Sequence, residues 1–219
     1  MGYGIKLLVW GDLACFSRPE MKAERVSYDA MTPSAAVGIL SALHRKPAIK
    51  WRIDRIHVLK EIKFTNIRRN EVENKIPVEK ASSAAKGLAV DLHQYATAER
   101  QQRATLMLHD VKYLIEAHFE MTDKAGESDT PAKHYNIFLR RARSGSCFHT
   151  PCFGLREFPA NFRLFNEEEY PPLSYYRDKE EIDLGYMLHS IDYSHDMRPR
   201  FFRAKMCGGV IDVPEVSAL

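Results

Sequence analysis

The chain has 219 residues, 45% hydrophobic and 28% charged, which gives enough apolar material for one sizeable core or a core with an appendage. No run approaches the roughly 18 apolar residues of a membrane helix, and the opening MGYGIKLLVW carries a lysine inside its apolar stretch and lacks a small-residue cleavage site, so neither a membrane span nor a leader is expected. Four scattered cysteines are too few for a disulfide framework and point to reduced thiols in the cytoplasm, and a net charge of +3 does not by itself argue for a polyanion partner.

In chain order, Gly4 to Trp10 reads as a buried strand, and residues 11–31 as a loop without helical period. Thr32-Pro33 is an N-cap followed by proline at the first helical position, and Ala36, Leu40 and Leu43 then space an apolar stripe that Pro47 ends. Trp51 to Leu59 alternates as a strand, and Ile62 to Ile67 follows as another. Residues 73–101 have no clean period and are expected to form a long mobile loop. Ala104 to Met121 is strand-like, with a hairpin bend placed near Asp110. Thr130-Pro131 repeats the capping signature for a helix whose stripe is Tyr135, Phe138, Leu139 and Ala142, ending near Gly145. Phe158 to Phe165, Leu184 to Tyr193 and Phe201 to Met206 are strand candidates, and Gly208-Gly209 turns into Val210 to Val213. The order predicts an α+β fold: a ferredoxin-like (RRM-like) domain over residues 1–166 and a small antiparallel β domain over 167–219.

Charge is unevenly distributed. His44, Arg45, Lys46, Lys50, Arg52, Arg55 and His57 lie in one short segment, Arg68 and Arg69 form a second focus, and Arg140, Arg141 and Arg143 a third. One such cluster is usually a solvated face; three, with acidic residues gathered late in the chain, point to a polyanion site. Exposed aromatics would add stacking surfaces, and among Trp10, Phe16, Tyr28, Trp51, Tyr135 and Phe148 the loop residues Phe16 and Tyr28 are the preferred candidates. Cys147, His149 and Cys152 do not complete a four-ligand zinc set, and no phosphate-binding glycine loop occurs.

Several segments, in order, resemble the type I-C (c/d) form of the fifth family of Cas proteins, in the RAMP superfamily. They include Leu8-Val9-Trp10-Gly11-Asp12, Phe16-Ser17-Arg18-Pro19-Glu20-Met21, Met31-Thr32-Pro33-Ser34, Ile67-Arg68-Arg69-Asn70-Glu71-Val72, Lys133-His134-Tyr135, Cys152 to Pro159 and Asp183-Leu184-Gly185-Tyr186-Met187. The resemblance implies a ferredoxin-like N-terminal part and a β-rich C-terminal part. It implies metal-independent, cofactor-free cleavage of precursor CRISPR RNA within the repeat hairpin, with the RNA 2′-hydroxyl as nucleophile. The product would stay bound by its 5′ handle, and the large and backbone subunits of the surveillance complex would be partners. A non-catalytic handle-capping subunit is the alternative, and double-stranded DNA is a candidate further ligand because some relatives act on DNA.

The family's catalytic set falls on His44, Lys133 and His134. Some members carry tyrosine at the first position, and tryptophan often follows where this chain has Arg45. Arg18, Lys22, Arg25, Arg45, Lys46, Arg68 and Arg69 are the candidate RNA contacts, with Phe16 and Tyr28. Chemically, two imidazoles and an ammonium suffice to move protons and offset charge at a phosphate. His134 in a first helical turn is expected to be a neutral base and His44, at a helix C-terminus, a cationic acid.

Overall fold

The structure, a computed structural model, describes residues 3–21, 23–165, 173–193 and 196–215. The expected boundary at 166/167, Lys22 and the acidic run Glu167 to Glu169 lie outside the described residues. Nine strands form one sheet with three helices, an α+β arrangement. The strands are β1 (Ile5–Ala14), β2 (Arg25–Val26), β3 (Ile49–Val58), β4 (Phe64–Val72), β5 (Arg100–Met121), β6 (Asn161–Leu164), β7 (Ile182–Asp192), β8 (Arg198–Cys207) and β9 (Val210–Asp212). The helices are α1 (Pro33–Leu43), α2 (Val78–Ala85) and α3 (Pro131–Ser144). The main path runs β6-β1-β5-β3-β9-β8-β7, with β2 and β4 both paired to β5. Neighbours along that path are antiparallel, and β9 joins the C-terminal strands to β3.

Alternation along β1 divides the two faces of the sheet. Ile5, Leu7 and Val9 join Ile39, Leu40 and Phe138 in the main core beneath α1 and α3, while Leu8 points the other way into a small cluster with Leu59, Leu114 and Phe165. Both capping signatures operate as expected. Thr32 Oγ1 accepts from the Ala35 amide and Thr130 Oγ1 from the Lys133 amide, each at 3.2 Å. Gly145 ends α3 in the left-handed conformation at φ 67°.

Three expectations are corrected. Ala104 to Met121 is no hairpin but part of a single 22-residue strand. Asp110, at φ 55°, bends it locally as its pairing passes from β4 to β1 and β3. Residues 73–101 contain α2, which buries none of its residues and so has no apolar stripe for periodicity to reveal. Residues 15–31 are no solvated loop: Cys15, Phe16, Tyr28, Ala30 and Met31 are packed into the core. That removes Phe16 and Tyr28 from the surface, because the segment folds back on the sheet and spends its aromatics on packing.

Gly154 fixes how residues 153–158 meet the end of β1. Its φ is +82°, and a Cβ there would overlap the Cys15 carbonyl, the neighbour of a Cys15 amide that donates to Phe153 O at 3.0 Å. Gly154→Ala is therefore expected to destabilise the fold by about 2–4 kcal/mol, combining backbone strain with displacement of β1. Urea unfolding of the two proteins checks this, and a difference below about 1 kcal/mol would contradict it.

Candidate nucleic-acid cleavage site

Residues far apart in sequence meet where the C-terminus of α1 reaches the N-terminus of α3. His44 is the C-cap of α1, with its own amide donating to Leu40 O at 2.9 Å. Its carbonyl accepts from Trp51 Nε1 at 2.9 Å, which pins the cap to β3. His134 lies in the first turn of α3, and the ring nitrogens His44 Nε2 and His134 Nδ1 are 3.0 Å apart. Both side chains are buried, each residue only 1% exposed. Phe119, stacked edge-on to Trp51, walls the His134 ring.

Two further residues complete the site: Arg141, anticipated only as part of a basic cluster, and Asp129, not anticipated from the sequence. Arg141 lies seven positions after His134, hence on the same face of α3 two turns on, and its Nη1 donates to Leu43 O at 2.6 Å. The same Nη1 is 3.4 Å from His44 Nδ1. Asp129, just before the Thr130 cap, places Oδ1 3.3 Å from both Lys133 Nζ and His134 Nε2. His134 Nε2 makes no hydrogen bond at that distance and is a buried polar atom without a partner. The helical spacing of Arg141 and the four-residue Asp129–Lys133 interval were the available signals. Neither identifies a site until α1 is known to end against α3.

The expected cationic His44 is overturned. Burial, then repulsion from His134, Arg141 and Lys46, pushes its pKa down to about 4. The carbonyls that would have favoured a cation are already occupied, by Arg141 at Leu43 and by Trp51 at His44. The start of α3 offers few free amides to an anion, since Pro131 has no N–H and Thr130 Oγ1 takes the Lys133 amide. The positive charge at this end of the helix is instead on the Lys133 side chain, which is 44% exposed and also donates to Ser128 O at 3.1 Å. Asp129 is held below the usual carboxylate range by the Gly126 amide and by Lys133.

The other candidates divide into two regions. Arg45 and Lys46 are exposed directly after His44 and flank the imidazole pair. Arg18, Arg25 and Arg69 are tied to carboxylates, with Arg18 on Asp29, Arg25 on Glu71 and Arg69 on Glu157, while Arg68 is exposed. Arg69 also contacts Thr105 on β5, whereas His134 packs near Phe119 of the same strand. About 45 Å of strand contour separates those two positions at ~3.3 Å per residue. Phe148 is an exposed aromatic tied to the end of α1: it is 87% exposed and its amide donates to Ala42 O, in the last turn of α1, at 2.8 Å. Among the described residues no group of three or more His, Cys, Asp and Glu side chains is placed to hold a metal ion, and no helix is long and apolar enough to cross a membrane.

This chain belongs to the Cas5 family of CRISPR-associated proteins: the family model described as CRISPR-associated protein (Cas_Cas5), of the Cas5d type, matches residues 4–214. It is 55% identical over 216 residues to the CRISPR pre-crRNA endoribonuclease Cas5d of Mannheimia succiniciproducens, covering 98% of this chain and 96% of that one. It is 36% identical over 230 residues to the protein of the same name from Thermus thermophilus, covering 96% of this chain and 91% of that one. A crystal structure of a CRISPR-associated protein superposes with a TM-score of 0.71 at 25% identity, covering 97% of this chain and 92% of the other. A chain of a CRISPR RNA-guided surveillance complex shares the fold at a TM-score of 0.53 and 13% identity, covering 95% of this chain and 87% of that one.

The depressed His44 makes stability depend on pH in a definite direction. Its folded value, about 4, lies below the unfolded value near 6.5, so the unfolded chain binds the extra proton first. The contribution is complete above about pH 6.5 and is lost as pH falls towards 4, at most about 3 kcal/mol. Denaturant unfolding of wild type and His44→Gln at pH 7.5 and 5 is expected to show a steeper acid loss in wild type. Equal losses would mean that His44 is not held neutral by the fold.

Proposed function

We propose that this chain is a pre-crRNA endoribonuclease with the catalytic set His44, Lys133 and His134. The reading is supported by its two Cas5d relatives, both named as pre-crRNA endoribonucleases, and by one observation above all. Two imidazoles from helices 90 residues apart meet at 3.0 Å beside an exposed lysine.

In the reaction O2′ attacks the adjacent phosphorus and the P–O5′ bond breaks. The 2′-hydroxyl gives up its proton and O5′ gains one, leaving a 2′,3′-cyclic phosphate upstream and a 5′-hydroxyl on the retained RNA. Lys133 supplies the positive charge at the phosphate. His134 meets the RNA through Nε2, the unpartnered atom, while both ring nitrogens of His44 face protein groups. Imidazole and ammonium groups carry this chemistry in the absence of metal.

The four-strand order β6-β1-β5-β3, with α1 and α3 as the two crossovers, supports a ferredoxin-like N-terminal part. The strands from β7 onward would then be the C-terminal addition. Arg45 and Lys46 hold the RNA backbone near the site, and Phe148 replaces Phe16 and Tyr28 as the stacking surface. Arg18, Arg25, Arg68 and Arg69 serve the handle or a neighbouring subunit at the far end of β5. The product stays bound, and the large and backbone subunits of the type I-C complex assemble on it.

Incubation with the host's repeat RNA in excess EDTA tests the reading. Wild type is expected to cut once, and Lys133→Ala and His134→Ala to lose about 10²–10⁴-fold in rate while remaining folded. Tight binding without a cut would make the chain a handle-capping subunit instead. Phe148→Ala is expected to weaken repeat-RNA binding by about 1–3 kcal/mol without lowering thermal stability, as read by titration at fixed salt. Unchanged affinity would remove Phe148 from the interface.

A further inference from the structure

The groups at the two ends of the imidazole pair restrict where its protons can sit. Arg141 is a permanent cation with only donors, so the nitrogen facing it, His44 Nδ1 at 3.4 Å, is the one with the lone pair. His44 then carries its single proton on Nε2 and donates to His134 Nδ1 at 3.0 Å. His134 Nδ1 is thereby an acceptor, and the His134 proton lies on Nε2, which sits 3.3 Å from Asp129 Oδ1 without a hydrogen bond to it. The opposite arrangement sets an N–H against the guanidinium at one end and a lone pair against a carboxylate at the other. Of the other groups near the pair, Lys46 acts on His44 only through space, Lys133 is bonded to Asp129, and Trp51 and Phe119 carry no charge.

We propose that Arg141 and Asp129 are positioning residues that orient the His44–His134 pair, so that His134 carries its proton on Nε2, the ring nitrogen away from His44, and meets the scissile phosphate of the RNA as a hydrogen-bond donor. Arg141 acts through His44. Asp129 acts electrostatically: its Oδ1, bonded to the Lys133 ammonium and 3.3 Å from Nε2, favours the proton on that nitrogen and leaves Nε2–H free for a phosphate oxygen. In this tautomer His134 is a donor and not the resting base that its helix position suggested. The same orientation accords with a neutral His44, since a second proton on that ring would have to face the guanidinium.

The inference rests on the catalytic reading for its consequence, but its test does not need RNA. The full chain, labelled with ¹⁵N at histidine, is studied near pH 7 by long-range ¹H–¹⁵N correlation, which distinguishes the two neutral tautomers. In wild type, His44 and His134 are both expected as Nε2–H forms. Arg141→Met is expected to shift His44, and His134 with it, towards a mixture. Arg141→Lys keeps a donor at that end and is expected to preserve the wild-type pattern. Asp129→Ala is expected to leave both tautomers in place, because His134 Nδ1 still accepts from His44, while shifting the His134 Nε2 resonance as its nearby carboxylate is lost.

Wild-type His44 protonated on Nδ1, or unchanged tautomers in a folded Arg141→Met, would overturn the proposal. If Arg141→Met does not fold, the wild-type and Asp129→Ala spectra still decide it. In cleavage assays, Arg141→Met is expected to lose at least about 10-fold in single-turnover rate with altered pH dependence, and Arg141→Lys to recover most of it. Wild-type tautomers as stated, in a protein that cuts no repeat RNA, would sink the catalytic reading and leave the orientation intact.

Discussion

The buried contact between His44 and His134 exists because three backbone and side-chain anchors bring the end of α1 against the start of α3. Arg141 satisfies the Leu43 carbonyl, Trp51 satisfies that of His44, and the Thr130 cap starts α3 where its first turn reaches the pair. Each anchor pairs a polar group that would otherwise be costly to bury. The polar atom left over, His134 Nε2, is the one that the proposed chemistry needs. Stability and reactivity are thus divided within one cluster: His44 Nδ1, His44 Nε2 and His134 Nδ1 each have a neighbour that fixes them, and His134 Nε2 does not.

Burial also sets the electrostatics. His44 is neutral because water is excluded and because His134, Arg141 and Lys46 lie near enough to repel a proton on it. An imidazole at a helix C-terminus would ordinarily gain from the free carbonyls, but here these are already occupied. Lys133 keeps its charge at the surface, next to Asp129, so the site combines an exposed cation with a shielded, neutral proton carrier. That division suits a phosphate approaching from solvent, which meets the ammonium before it meets the ring.

The long strand β5 determines what else the molecule can bring to RNA. Its C-terminal half pairs with β1 and β3 under the helices and carries Phe119 to the imidazole pair. Its N-terminal half pairs with β4 and carries the network of Arg25, Arg69, Glu71 and Glu157. Basic clusters that look equivalent in the sequence therefore belong to opposite ends of one strand. Arg45 and Lys46 adjoin the imidazole pair, whereas Arg68 and Arg69 lie on β4 beside the far end of β5.

Local chemistry in the sequence was enough to specify both capped helices, their apolar stripes, most strands and the α+β class, since caps, prolines and alternation act over a few residues. The trio His44, Lys133 and His134 was legible only through family resemblance, because a histidine at a helix end is ordinarily unremarkable. The sequence did not reveal the roles of Arg141 and Asp129, which depend on a neighbour across the helix junction. It also misjudged Phe16 and Tyr28, since a polar-looking segment that folds back on the sheet shows no period to mark its buried side chains. Only the tertiary structure decided that two helix ends 90 residues apart share a hydrogen bond, and that His44 is neutral. Both are consequences of packing, and packing brings together groups whose spacing along the chain carries no information about their distance in space.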